Sequence, residues 1–426
     1  MSIAAGVIII AAMIYGLIKQ WETRMVLFAG GMAMAIIAGQ PLAPLISFSK
    51  SMKQANIFEV IIASMGFAAV VKATQCDKHL IAVFVKILRR MGPFLIIGVA
   101  LATTVVNSSI PSAAGTSAAV GTIMIPLLIS SGIPAPLAAG AVLCGLYGGN
   151  LNPGHVHPTL VAELAGGGKT GMDFVTLVAF PLLGSVVASS SVLVVIAYWM
   201  RKKQAHGLSA AADADDTQAF GEGFTLNPLF AVLPLLPLIL LILGNMDILP
   251  VLKMPVSHAM IIGALVIMAI TRTSPGTISN SFFKGMGESF GSIFGLIVAA
   301  NIFVAGMNSL GLIKSLIDVM TTSPAIAKIA SIFGPFAIAI LSGSGEAAAI
   351  AFNNAVSVHA GQFGMEVMNM GAMTVLSGGI GRSMSLVSGC MIICAGIAKV
   401  TPIEVLKRIW IPMLAALAFV VVTLNF

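Results

Sequence analysis

The chain is an internal duplication in which small, polar and helix-breaking residues interrupt the apolar segments at matching places. A shift of 235 positions aligns Met25-Val26-Leu27 with Met260-Ile261-Ile262, and it aligns Asn107-Ser108-Ser109 with Ser342-Gly343-Ser344. Toward the end of each copy the shift becomes 231, so that Pro181 aligns with Pro412. Paired hydrophobic segments interrupted at corresponding positions are typical of the binding sites of secondary transporters.

The composition predicts an all-α polytopic membrane protein. Of the 426 residues, 58% are hydrophobic and only 9% are charged, which leaves too few charges to cover a soluble domain of this size. Apolar stretches of about 20 residues, long enough to cross the hydrocarbon core as helices, recur along the chain. The net charge of +7 does not indicate a nucleic-acid partner, because the basic residues lie at the ends of apolar segments, where they set topology.

Ten spanning segments and two half-way hairpins account for these stretches. The hairpins are predicted near residues 92–131 (hairpin 1) and 329–363 (hairpin 2), and long stretches such as 134–162 predict broken helices. The predicted spans are residues 2–18, 24–46, 58–74, 134–162, 174–200, 226–246, 256–273, 291–309, 367–398 and 403–424.

The basic residues predict the orientation. If the N-terminus is outside, 15 of the 22 Lys and Arg residues lie on the cytoplasmic side and 6 lie outside, while Arg382 lies within the membrane. Each half then crosses five times, so we expect the repeats 1–200 and 224–426 to be inverted and both termini to be outside. Residues 78–90 carry four basic residues and are expected to form a cytoplasmic interfacial helix. The hydrophilic stretch 201–223 is expected to be a cytoplasmic linker.

Hairpin 1 contains the first group of candidate site residues. Irregular backbone at membrane depth is tolerated only where it is buried in protein or lines a wet cavity. Asn107, Ser108 and Ser109 precede Pro111, which blocks a continuous helix. Their side chains, with the free N–H groups of the following helix, are predicted to bind an anion. The alternative is that the small residues only permit close helix packing.

Hairpin 2 contains the second group. Ser342, Gly343 and Ser344 occupy the equivalent place, and the glycines beside Ser344 allow the backbone to approach a ligand closely. Glu346 is an intramembrane carboxyl group, for which a function is the default hypothesis. It is a candidate to carry a coupling proton, bind a cation or pair with an arginine. Asn353, about two turns later, is a further candidate for the coupling ion.

The third group lies in the Gly- and Pro-rich stretch 148–158. Its composition predicts an unwound helix. Asn152 and His155 are predicted to contact substrate, and Asn150 and His157 are candidates for the coupling ion. For the two histidines, a hydrogen-bonded structural role is the alternative. A metal site is not predicted, because the sequence places no further His, Cys or carboxylate near the two histidines.

The fourth group follows the glycines of residues 378–381. Arg382 is the only basic residue between Lys328 and Lys399, and its guanidinium offers a planar fork of donors that suits a carboxylate. We predict that Arg382 contacts substrate together with Ser383 and Ser385. A structural ion pair between Arg382 and Glu346 is the alternative.

These residues resemble those of the DcuC-type anaerobic C4-dicarboxylate carriers, within the larger ion transporter superfamily. The resemblance covers nearly the full length and is strongest at 342–345, 381–389 and 395–408, with further matches at 26–31 and 66–69. In close relatives an uncharged Asn is expected at the position of Glu346, and the segment from His155 to His157 is longer and more basic than the family's usual turn.

The family resemblance implies carriage of succinate, fumarate or malate, by exchange or with Na⁺ or H⁺ coupling. The superfamily resemblance implies a homodimer of elevator type. Residues 1–90 and 224–328 would form its scaffold, and residues 91–200 and 329–426 would form its moving parts, whose hairpin tips face the substrate carboxylates.

The sequence therefore predicts a secondary active transporter of C4-dicarboxylates in the bacterial inner membrane, without a cofactor. The substrate could instead be citrate or an amino acid, whose ammonium group Glu346 would hold. A different class is an anion channel, which would show flux without exchange or ion coupling. An intramembrane enzyme is not predicted, because no nucleophile and base are paired by spacing.

Overall fold

The computed structural model describes residues 2–19, 21–53, 55–88, 91–110, 112–204, 224–245, 250–321 and 324–424. Within these ranges every regular element is a helix, as the composition predicts. The helices of the first half are α1 (Ser2–Ile18), α2 (Thr23–Ile37), α3 (Ala43–Ser51), α4 (Ala55–Ala73), α5 (Cys76–Leu88), α6 (Leu95–Ser109), α7 (Ala113–Ser130), α8 (Ala135–Leu143), α9 (Val156–Ala165) and α10 (Gly171–Gln204).

The second half has eleven α-helices in its described residues. They are α11 (Pro228–Val232), α12 (Leu236–Asn245), α13 (Val256–Thr271), α14 (Pro275–Ser289), α15 (Gly295–Ser309), α16 (Leu312–Thr321), α17 (Pro324–Ser342), α18 (Gly345–Ala355), α19 (Val367–Met384), α20 (Gly389–Ile397) and α21 (Pro402–Leu424). Most of the predicted linker 201–223 lies outside the described residues, and the backbone of α10 continues to Gln204.

The order of helices in the second half follows that of the first. The two arms of hairpin 1, α6 and α7, correspond to α17 and α18 of hairpin 2. The broken stretch that contains α8, a 3₁₀ turn (Gly148–Leu151) and α9 corresponds to α19 and α20, and α10 corresponds to α21. The order of helices is therefore alike in the later parts of the two halves, and an inverted orientation of the repeats stays a prediction.

Four helical runs are long and apolar enough to cross a membrane in one piece: Ala113–Ser130, Gly171–Met200, Pro275–Ser309 and Pro402–Leu424. Two further pairs of consecutive helices are long and apolar enough to cross a membrane only if the two helices of each pair are counted as one span. Phe58–Ala73 and Cys76–Leu88 meet at 71°, and Val367–Met384 and Gly389–Ile397 meet at 42°. The other apolar helices have 10–17 residues. Among the described residues, the ten predicted spans are thus distributed over long helices, bent pairs and shorter helices.

Two predicted spans have different limits in the structure. The segment 24–46 is not one helix, because Gly39 adopts a left-handed φ of 73° and Pro41 follows it, so that α2 ends at Ile37 and α3 begins at Ala43. The span predicted at 291–309 belongs to a longer run. α14 leads into it through a π-helical turn (Phe290–Phe294), which keeps the helix continuous from Pro275.

The two halves pack against each other through corresponding parts. α2 packs against α15, and α4 packs against α13 and α14. The approach of α2 to α15 is close, since a Cβ atom on Gly306 would lie 2.2 Å from the carbonyl oxygen of Gly31. In the later part of each half, α10 packs against α21, α7 against α20, and α8 against α21. A buried apolar cluster that includes Val99, Leu137 and Leu376 joins these later parts.

Candidate functional site

The four polar interruptions meet at one cleft. Its lining includes Asn107 and Ala113 of hairpin 1, Gly345 and Glu346 of hairpin 2, and Arg382 near the end of α19, together with Asn150, His155 and His157. In this conformation the cleft is narrow: its volume is about 20 Å³, which is roughly the space that one water molecule needs. Residues more than 230 positions apart in the chain therefore form one polar surface between the two halves.

The second arm of each hairpin begins at this cleft. Ser112 caps α7 by accepting a hydrogen bond from the Gly115 N–H at 3.2 Å. Ser344 caps α18 in the same way, accepting from the Ala347 N–H at 3.1 Å. The N–H groups in the first turn of a helix have no intrahelical carbonyl partner, and they carry the positive end of the helix dipole. Two helix N-termini thus bring partial positive charge to the cleft.

Arg382 is held in place by contacts with both halves. Its Nη2 donates a hydrogen bond to the carbonyl oxygen of Leu146 at 2.8 Å, and its Nη1 lies 3.7 Å from Oε1 of Glu346. The Arg382 side chain is 11% exposed and that of Glu346 is 33% exposed. Two unit charges about 4 Å apart attract by about 4 kcal/mol at an effective dielectric constant of about 20. The ion pair between Arg382 and Glu346, which the sequence offered as an alternative, is therefore present. Among the described residues, Nε of Arg382 has no hydrogen-bond partner.

Asn107 joins hairpin 1 to the broken stretch. Its Nδ2 donates to the carbonyl oxygen of Ile110 and to Oγ1 of Thr116, both at 3.1 Å. Its Oδ1 accepts from the N–H of Gly149 at 2.7 Å. Both amide hydrogens are therefore engaged in this conformation, although the side chain lies in the wall of the cleft.

The neighbours of Asn107 also make internal contacts. The hydroxyl of Ser108 donates to the carbonyl oxygen of Val105 at 2.7 Å, and that of Ser109 reaches the same oxygen at 3.5 Å. Asn152 donates from Nδ2 to the carbonyl oxygen of Ser108 at 2.9 Å and accepts from the Gly154 N–H at 2.9 Å. All three side chains are buried, and they fix the turn of hairpin 1 against the broken stretch.

The two histidines and Asn150 form a buried polar group on another wall. The ring centroids of His155 and His157 lie 5.3 Å apart. Asn150 donates from Nδ2 to the carbonyl oxygen of Tyr147 at 3.0 Å. In the part of the chain that the structure describes, Oδ1 of Asn150 and Nδ1 of His157 have no hydrogen-bond partner. Both are buried polar atoms whose hydrogen-bonding capacity is unused among the described residues.

The remaining candidates lie beside the cleft. Ser342 accepts from the Ser344 N–H at 3.3 Å, and Gly343 adopts a left-handed φ of 75° between α17 and α18. Ser385, in the break after α19, accepts from the Val387 N–H at 3.4 Å. The hydroxyl of Ser383 donates to the carbonyl oxygen of Leu143 at 3.2 Å, and Oδ1 of Asn353 accepts from Ser357 at 2.7 Å. In this conformation these groups shape the backbone around the cleft, and their contact with a ligand stays a prediction.

Sequence reasoning missed two contributors. The carbonyl oxygen of Leu146 anchors Arg382, and Tyr147 lines the cleft with its hydroxyl 3.4 Å from Oγ of Ser185. Both residues directly precede the Gly148-Gly149 pair, which marks the break in the helix. This position was the available signal, because the carbonyl groups before a helix break lose their intrahelical partners.

Comparison with known proteins gives concordant results. The family model of the C4-dicarboxylate anaerobic carriers matches residues 1–426. The anaerobic C4-dicarboxylate transporter DcuC of Escherichia coli K12 is 24% identical over 448 residues, which covers 98% of this chain and 95% of that protein. An uncharacterized transporter of Haemophilus influenzae is 35% identical over 278 residues, which covers 63% of this chain and 98% of that protein.

A solved structure shares the fold. The crystal structure of the Alcanivorax borkumensis YdaH transporter superimposes with a TM-score of 0.62 at 14% identity, covering 90% of this chain and 88% of that one. At this identity the likeness concerns the fold alone. The full-length family match, by contrast, concerns the sequence: the chain belongs to the C4-dicarboxylate anaerobic carrier family, a family of membrane transporters rather than enzymes.

Proposed function

We propose that this chain is a secondary active transporter that moves C4-dicarboxylates such as succinate, fumarate or malate across the bacterial inner membrane. Family membership supports the class of substrate. The observation that carries the proposal is the cleft, where the Arg382 guanidinium faces the first residues of α7 and α18.

A dicarboxylate needs hydrogen-bond donors at two separated points. Arg382 supplies charged donors at one point, and its Nε has no partner among the described residues. The N-termini of α7 and α18, which begin at Ala113 and Gly345, supply N–H groups at the others. The duplicated hairpins would thus bind the two ends of one substrate.

The packing of the halves supports an elevator mechanism. The early parts, 1–90 and 224–328, pack on each other through α2, α4, α13, α14 and α15, and they would form the scaffold. The later parts, 91–200 and 329–426, pack on each other through α7, α8, α10, α20 and α21, and they would carry the substrate. In this proposal the repeats are inverted, the carrier is a homodimer, and transport proceeds by exchange or with Na⁺ or H⁺.

A second candidate substrate is an amino acid. The pairing of Arg382 with Glu346 at 3.7 Å places a cation and an anion side by side in the cleft. Such a pair matches the carboxylate and the ammonium group of a zwitterion. An amino acid would then displace the ion pair and bind to both of its members.

The test is uptake of radiolabelled succinate by proteoliposomes that contain the wild type, Arg382→Ala or Arg408→Ala. Arg408 is an exposed residue of α21 and is the matched control. We expect wild-type uptake to be accelerated by internal succinate or by an imposed Na⁺ or pH gradient. Arg382→Ala should lose at least about 30-fold in apparent affinity, because truncating one partner of a buried, hydrogen-bonded charge pair in a binding contact costs about 2–5 kcal/mol.

Three outcomes would contradict the proposal. Wild-type protein that folds but exchanges amino acids and not succinate would establish the second candidate. Rapid flux without acceleration by internal succinate would indicate a channel. Equal loss of uptake in Arg382→Ala and Arg408→Ala would show that Arg382 has no specific role in binding the substrate.

A further inference from the structure

We infer that Glu346 is a tethered carboxylate that occupies Arg382 in the empty carrier and leaves it, carrying one proton, when a substrate carboxylate binds. This inference rests on the proposed function. It assigns proton coupling to one residue and makes that residue an internal competitor of the substrate.

The two members of the ion pair are held very differently. Arg382 is anchored by its hydrogen bond to the carbonyl oxygen of Leu146 and is 11% exposed. Glu346 is 33% exposed, and within the described residues its carboxylate has the contact with Arg382 and no hydrogen bond. At 3.7 Å this contact is longer than a charge-assisted hydrogen bond. The arginine is thus fixed, whereas the glutamate can be displaced.

Displacement requires only a side-chain movement. Glu346 follows Gly345, where a Cβ atom would lie 2.5 Å from the carbonyl oxygen of Gly378. This close approach fixes the first turn of α18 against α19. The Glu346 side chain, in contrast, extends into the cleft and has several rotatable bonds. A rotation of the Glu346 side chain away from Arg382 would therefore leave the guanidinium to an incoming carboxylate.

Charge balance requires a proton in this exchange. In the empty cleft the charges of Arg382 and Glu346 cancel. A dianion that binds to Arg382 while Glu346 stays ionised would leave two net negative charges in a poorly solvated site, with the released carboxylate close to the substrate. If Glu346 takes up one proton from the solution that delivers the substrate, one negative charge remains. The proton leaves to the solution on the other side when the substrate dissociates and Glu346 returns to Arg382.

Other titratable groups that face this region define the controls. His155, His157 and Tyr147 line the same cleft from the broken stretch. Among the elements that pack on α18, α15 contains no titratable residue, and Lys328 of α17 lies 18 positions from Glu346, near the opposite end of that helix. His359 lies in the 3₁₀ segment (Ser357–Phe363) at the far end of α18. The two cleft histidines are therefore the groups that could take the proton instead.

The experiment measures succinate counterflow in proteoliposomes at equal internal and external pH, from about pH 6.5 to 8.5, where free carboxylic acids are ionised. The variants are Glu346→Gln, His155→Asn, His157→Asn and Glu163→Gln, the last being an exposed glutamate of α9. In the wild type we expect the half-saturating succinate concentration to rise by up to about tenfold per pH unit, the limit for one linked proton. In Glu346→Gln we expect less than about a twofold change over the whole range.

A second readout is uptake driven by an inside-alkaline pH gradient. The gradient should accelerate uptake by the wild type and by Glu163→Gln, and it should have no effect on Glu346→Gln, whatever the rate of counterflow in that variant. Retention of the pH dependence in Glu346→Gln, or its loss only in a histidine variant, would overturn the inference. Absence of succinate counterflow in the wild type would instead contradict the proposed function.

Discussion

Replacing Asn107 with alanine should destabilise the protein by about 2–4 kcal/mol, because it removes the side-chain hydrogen bonds that hold the turn of hairpin 1 together and join it to the broken stretch. The largest contribution comes from the Gly149 N–H, which is buried and loses its acceptor at 2.7 Å; an unpaired buried donor costs about 1–3 kcal/mol. The two donated bonds contribute less, since interhelical hydrogen bonds in membrane proteins average about 0.6 kcal/mol. Thr116 also keeps its own hydrogen bond to the Ile110 carbonyl oxygen at 3.0 Å.

The assay is unfolding of the purified protein in mixed micelles of increasing dodecyl sulfate content, followed by tryptophan fluorescence. Asn280→Ala is the control, because Asn280 is an exposed residue of α14, where a surface substitution should change stability by less than about 0.5 kcal/mol. If Asn107→Ala is as stable as this control, the hydrogen bonds of Asn107 do not stabilise the fold. A change confined to the half-saturating succinate concentration would show instead that Asn107 binds the substrate, as the sequence suggested.

Two further substitutions test the packing and the hairpin caps. Gly306→Ala should destabilise by about 1–3 kcal/mol, because its Cβ would meet the backbone of Gly31, whereas Gly287→Ala, with no neighbour within 4 Å, should be neutral or slightly stabilising in the same unfolding assay. Ser344→Ala should cost about 1 kcal/mol through loss of the α18 cap, and equal thermal stability of variant and wild type in detergent would contradict that role.

The sequence predicted the elements of the cleft better than their contacts. Gly, Asn and Pro residues marked the breaks within 148–158 and at the hairpin turns, because clusters of these residues favour turns over continuous helix. The arrangement of neighbouring side chains was harder to predict. Ser383 follows Arg382 by one position, and a helix turns by about 100° per residue, so its hydroxyl points to the Leu143 carbonyl oxygen instead of the cleft.

Other features depend on tertiary contacts that local patterns do not encode. The Gly148-Gly149 pair marks the break that frees the carbonyl group of Leu146, but no local pattern identifies Arg382, 236 positions away, as its hydrogen-bond donor. The amide of Asn107 looked free for a ligand, because its acceptors come from a fold that brings Gly149 within hydrogen-bond distance. The break between α2 and α3 did have a local signal, Gly39 followed by Pro41, but the apolar residues on both sides gave the appearance of one span.

The hydrogen bond from Arg382 to Leu146 also bears on how the protein is made. The two residues are 236 positions apart, so most of the second half must be synthesised and inserted before this contact can form. Until then the first half has a completed hairpin 1 but no cation at the end of α8. Under the proposed function, a ribosome-bound or truncated chain that ends before Arg382 should therefore have an incomplete site and bind no dicarboxylate.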